Sequence, residues 1–143
     1  MKQVGTLMLG VVVLVIAFAG LAKSAQLDAF ATALRSWVLL PESVRAFLIV
    51  SVPLFEVSVG ALWLMGCRSL MPLVVLVYLA IATAIYVTHL VVGIPADCGC
   101  FAKIAVFKEL ERSAPLVLLR NAVMMMMNVP SVVQRHFSGV RKA

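Results

Sequence analysis

Cys98 and Cys100 bracket a single glycine in Asp97-Cys98-Gly99-Cys100-Phe101, the stretch of the chain best furnished for chemistry. Two thiols at this spacing can close on each other, hold a soft metal ion, or do neither. Gly99 allows the unusual backbone angles that so small a ring requires. A disulfide across one residue would be strained against ordinary geometry and easily reduced, as suits a catalytic or regulatory bridge. Asp97 opposes thiolate formation at Cys98, whereas Lys103 favours it. As a metal site the pair supplies two of the four ligands that structural zinc wants. His89 is a third donor for a soft ion such as Cu(I). Cys67 stands apart.

Four further polar residues stand inside or beside long apolar runs. His89 reads as an interface residue or as a group that stabilises a thiolate of the pair or takes its proton. Glu56 lies deep in an apolar run, where a charge is expensive and usually faces a partner in the bundle interior. Arg120, entering from an antiparallel neighbour at similar depth, is the expected partner, unless it snorkels to the interface. Such a pair either fixes helix register or relays protons, and Asp97 joins it as a structural or proton-relay candidate. Asn121 is placed to hydrogen-bond between helices. Met124 to Met127 point all round a helix and read as flexible apolar packing.

The elements that must position these groups are membrane spans. In 143 residues, 64% are hydrophobic and 13% charged, with a mean hydropathy of +1.11. No soluble domain of this size hides so much apolar surface. Four runs, at about 5–22, 46–65, 70–92 and 114–129, approach the roughly 20 apolar residues that cross about 30 Å of hydrocarbon. The first run also fits a signal peptide, but it is longer than a usual signal core and reads as a retained helix. Residues 24–40 repeat apolar positions at helical spacing, with Asp28, Thr32 and Arg35 on other faces. They predict an amphipathic helix at the interface or capping the bundle, with Trp37 at headgroup depth. The tail from Gln134 is basic and reads as poorly ordered. The whole is expected to be a single all-α membrane domain, an antiparallel four-helix bundle.

The formal charge of +6 is scattered over ends and loops with no basic stripe or interleaved aromatics, which argues against nucleic acid and for interfacial anchoring in lipid. Four spans put both termini on one side and the cysteine loop on the other, and basic residues are spread over both. Redox logic places the loop in an oxidising compartment, the bacterial periplasm, and the termini in the cytoplasm.

The chain resembles the MauE family of methylamine-utilisation membrane proteins, within the wider DoxX-like group. The resemblance rests on Ala22-Lys23, Phe30, Leu39-Leu40-Pro41, then Pro53, Glu56 and Gly60, the Asp97-Cys98-Gly99-Cys100-Phe101 signature, and Arg120-Asn121. Ala102 follows Phe101 where the family pattern continues with glycine. The resemblance implies a bundle of the vitamin K epoxide reductase type that handles disulfides with a thioredoxin-like partner. It further implies a role in maturing a periplasmic client such as methylamine dehydrogenase. On this view Cys98 and Cys100 are catalytic, joined by His89 on the residue reading above; the redox-active disulfide stands where a cofactor would, and a quinone is a candidate electron acceptor. Quinone-linked relatives use two thiol pairs, and here there is one. A non-enzymatic assembly factor and a Cu(I)-binding protein are the competing readings.

Overall fold

A computed structural model describes residues 2–67, 69–94 and 113–140 of the chain, with side chains to residue 133. Five helices make up the described part: α1 (Lys2–Ala25), α2 (Leu27–Arg35), α3 (Glu42–Leu64), α4 (Met71–Val91) and α5 (Ala114–Val140). Four of them, over Gln3–Ala25, Glu42–Leu64, Met71–Val91 and Ala114–Val133, are long and apolar enough to cross a membrane. The expected all-α bundle with a short helix between its first two spans is therefore the observed architecture. One difference concerns the end of the chain, where the backbone stays helical beyond Gln134 to Val140.

Each span is apolar all round, as a helix facing both lipid and protein must be. On α1 an exposed stripe of Val4, Leu7, Val11, Leu14, Phe18 and Leu21 backs a buried one of Leu9, Val12, Val13, Ile16 and Ala19. The buried stripe meets Val59 of α3 and Met71, Val75 and Leu79 of α4 in one core.

The closest approach is between α1 and α3. A Cβ added at Gly60 would sit 2.6 Å from that of Ala17, and one at Gly20 would sit 2.7 Å from that of Glu56. Small residues let the backbones come this near, and dispersion then holds helices that lipid does not drive together. Ala61, Ala80 and Ala84, equally small, are exposed. Asn128 donates from Nδ2 to the carbonyl of Pro72 at 2.7 Å, and Ser131 donates from Oγ to that of Gly5 at 2.7 Å. These two bonds tie the far half of α5 to α4 and α1.

Two helices end in the same way. Gly66, at φ +86°, and Gly93, at φ +76°, adopt the left-handed conformation that glycine tolerates best. After α3, Gly66 donates to Trp63 and Cys67 to Leu62, and after α4, Gly93 donates to Leu90 and Ile94 to His89. Both pairs are Schellman caps, which satisfy carbonyls the helix leaves open.

Gly20→Val should push α1 off α3 and cost at least about 1–3 kcal/mol, read as a lower midpoint of thermal unfolding in detergent. Gly10→Ala should leave the midpoint unchanged or raise it, since its new methyl meets Trp63 at an ordinary 3.5 Å and alanine favours the helix by about 0.5–1 kcal/mol.

Candidate functional site

Lys23 continues the buried stripe of α1, one turn beyond Ala19 and Gly20, and is only 3% exposed. The glycine removes the side chain that would hold α3 away, so the lysine reaches Glu56, also 3% exposed. Its Nζ donates to both carboxylate oxygens at 2.6 Å. Tyr78 of α4 donates its hydroxyl to Oε1 of the same carboxylate. The ammonium also lies 5.5 Å from the ring centroid of Phe30 on α2, a cation–π distance. Side chains from α1, α2, α3 and α4 thus converge on one ion pair.

Lys23 is the counter-ion the structure shows for Glu56, where sequence reasoning looked to Arg120. On α5, Arg120 donates from Nε at 3.3 Å and Nη2 at 3.1 Å to Oδ1 of Asn121. Asn121 in turn donates from Nδ2 to Oγ1 of Thr83 on α4 at 3.0 Å, the interhelical bond foreseen for it. The overlooked lysine did have a signal, since it falls in phase with the apolar positions of α1. Its place just before a polar stretch made it look like an interfacial anchor.

His89 occupies the last turn of α4 and is 1% exposed. Its Nδ1 lies 2.9 Å from the carbonyl of Ile85. A carbonyl only accepts, so a hydrogen is on Nδ1, and Nε2 is the ring nitrogen turned away from that bond. That nitrogen is buried without a hydrogen-bond partner among the described residues. The ring packs against Trp37, centroids 5.3 Å apart and planes tilted by 51°. Trp37 closes over the end of α4, while Phe30 and Leu34 bury the apolar face of α2. The backbone of His89 is fixed as well, because its carbonyl accepts the cap bond from Ile94.

Asp97, Cys98 and Cys100 lie outside the described residues, so the distance from His89 to the thiols is not part of the structure. His89 precedes Cys98 by nine residues in the chain. Among the described residues no group of three or more His, Cys, Asp or Glu side chains is placed to hold a metal ion. Cys67, at the opposite end of the bundle, is exposed.

Although a short turn joins α3 to α4, backbones approach most closely between α1 and α3, α1 and α5, and α4 and α5. The space left between α3 and α4 belongs to a cavity of about 670 Å³. Val15, Leu73, Val77 and Met124 line one part of it, and Lys23, Trp37, Tyr86 and Arg120 another.

A bundle of four apolar helices, with its ionisable groups turned inward and an amphipathic helix over one end, defines a membrane protein. The chain belongs to the MauE family: the family model described as methylamine utilisation protein MauE matches residues 1–134, so this is a membrane protein of methylamine utilisation. No curated protein and no solved structure matches the chain.

Glu56→Gln leaves the Lys23 ammonium buried without its counter-charge and should cost about 3–5 kcal/mol. Lys23→Met combined with Glu56→Gln should recover most of that loss. A double-mutant cycle of unfolding in detergent measures the coupling. Additive losses would show that the pair contributes no coupling.

Proposed function

We propose that the chain is a membrane thiol–disulfide redox protein whose Cys98 and Cys100 exchange electrons with a thioredoxin-like partner. The client is a periplasmic enzyme of methylamine metabolism, such as methylamine dehydrogenase, whose disulfides or cofactor are completed through this exchange. In this reading the protein sits in the bacterial inner membrane, with both termini cytoplasmic and the 95–112 segment periplasmic. The observation that carries the proposal is His89. A histidine is buried at the end of the helix that leads into Cys98-Gly99-Cys100, with Nδ1 committed to Ile85 and Nε2 buried without a hydrogen-bond partner among the described residues. Membership of a family linked to methylamine utilisation supports the pathway.

The exchange proceeds in two displacements. Nε2 of His89 accepts the proton of one thiol, and the resulting thiolate attacks one sulfur of the partner's disulfide. The other partner sulfur leaves as a thiolate and takes up a proton. The second thiol of the pair, deprotonated in turn, then attacks the mixed disulfide. Cys98 and Cys100 end joined, and the partner leaves as a dithiol, reduced by two electrons and two protons. Run in reverse, the same steps oxidise the partner and leave the pair reduced. Its re-oxidation is assigned to a lipid-soluble quinone, a two-electron acceptor that takes the two electrons and two protons. With three cysteines in the chain, the electrons must pass without a second thiol pair.

In intact cells a membrane-impermeant maleimide should label Cys100 after reductant and not before. Replacing both Cys98 and Cys100 by serine should abolish client maturation. His89→Gln should slow thiol exchange by about 10²-fold. Maturation that survives the double replacement points to an assembly factor, and stoichiometric Cu(I) lost in that variant points to copper binding.

A further inference from the structure

The cavity between α3 and α4 has the volume of a small-molecule site, about 670 Å³ against the roughly 300–1,000 Å³ usual for one. Leu73, Val77 and Ile81 of α4 line it and stay half-exposed, so it opens towards lipid. The two cations on its wall are engaged within the bundle, Lys23 with Glu56 and Arg120 with Asn121, so a ligand needs no charge. The rings of Phe55 and Tyr78 meet with centroids 5.1 Å apart, and Trp37 and Tyr86 add two more aromatic surfaces.

Two oxygens on this wall have bonding capacity left. Ser58 turns its hydroxyl back onto the carbonyl of Leu54 at 2.7 Å, a common habit of serine inside a helix. Ser51, two turns earlier and on the cavity wall, makes no hydrogen bond among the described residues. Tyr78 gives its hydrogen to Glu56, so its oxygen can only accept from a ligand.

A wall of rings with one acceptor and one uncommitted hydroxyl suits a neutral ring alcohol on an apolar tail. We propose that the cavity binds the lipid-soluble quinone in its reduced, hydroquinone form, with a ring hydroxyl donating to Tyr78. The identity of the ligand rests on the quinone re-oxidation proposed above. The oxidised ring carries acceptors only and finds no hydrogen at Tyr78, whereas the Ser51 hydroxyl serves either form. The difference of one hydrogen bond makes the reduced form bind about tenfold tighter. That ratio raises the potential of the bound two-electron couple by about 30 mV, which favours electron flow from the thiols.

The full-length protein carrying Cys98→Ser and Cys100→Ser, which has no thiol pair to interconvert the two forms, tests the proposal. It is incubated anaerobically in detergent with equal amounts of a decyl hydroquinone and its quinone and then desalted, and the retained ligand is separated by chromatography. One ring ligand should remain per chain, about ten reduced for each oxidised. Tyr78→Phe should bring that ratio close to one. Ser51→Ala, which breaks no bond in the bundle, should lower retention of both forms, and so should Ala82→Phe, which fills the cavity from α4. Equal retention of the two forms by the unaltered cavity would overturn the proposal, as would equal retention of decylbenzene, which has no oxygen. So would a preference that survives Tyr78→Phe, or retention that neither Ser51→Ala nor Ala82→Phe reduces. Because the thiols are absent, failure here leaves thiol exchange with the partner standing, and failure of that exchange in the unaltered protein leaves this binding intact.

Discussion

The arrangement depends on one constraint, that an ammonium and a carboxylate placed in hydrocarbon must find each other. Lys23 and Glu56 meet at 2.6 Å, and each alone would be expensive at that depth. Meeting requires α1 and α3 to touch, and Gly20 and Gly60 let them touch. Once they touch, the remaining oxygen capacity of Glu56 draws in the Tyr78 hydroxyl from α4, and Phe30 brings α2 over the lysine. The polar interior is thus the organiser, and the aliphatic residues fill in around it. In a membrane this inversion is expected, since apolar side chains gain little by leaving lipid for protein.

The second organised region is the end of α4. Gly93 forces the helix to stop, and the stop is made on the carbonyl of His89. The ring of the same residue is held from below by Ile85 and covered by Trp37. A base in such a place keeps one tautomer and one orientation, which a proton acceptor needs if its task recurs. The family assignment gives that region a biological setting without fixing its chemistry, and the redox reading comes from the thiols that follow in the chain.

Much of the fold was legible because lipid-crossing length is a coarse property. Four long apolar runs and an amphipathic segment between the first two read directly from residue types. The site was legible in part. Glu56 was recognisable as a buried charge, and Asn121 as an interhelical donor. The partner of Glu56 was not, because Lys23 stands two residues from the end of α1 and looks like an interfacial anchor, whereas the helix axis carries it inward. Small residues misled in the opposite direction. Ala61, Ala80 and Ala84 suit a close contact equally well but are exposed, whereas Gly20, Gly60 and Ala17 stand where α1 meets α3.

The position of the pair also bears on how the protein enters the bilayer. Ribosomes deliver α1 first, and its lysine lies two residues from the helix end, where a long side chain can reach the headgroups until a partner arrives. Glu56 has no such exit, being 14 residues into α3 with Pro53 beside it. A central acid adds about 2.5–3.5 kcal/mol to the insertion of a lone helix. Embedded beside α1, the same acid meets a waiting cation. The order of helices along the chain thus places the cation of α1 ahead of the acid that needs it.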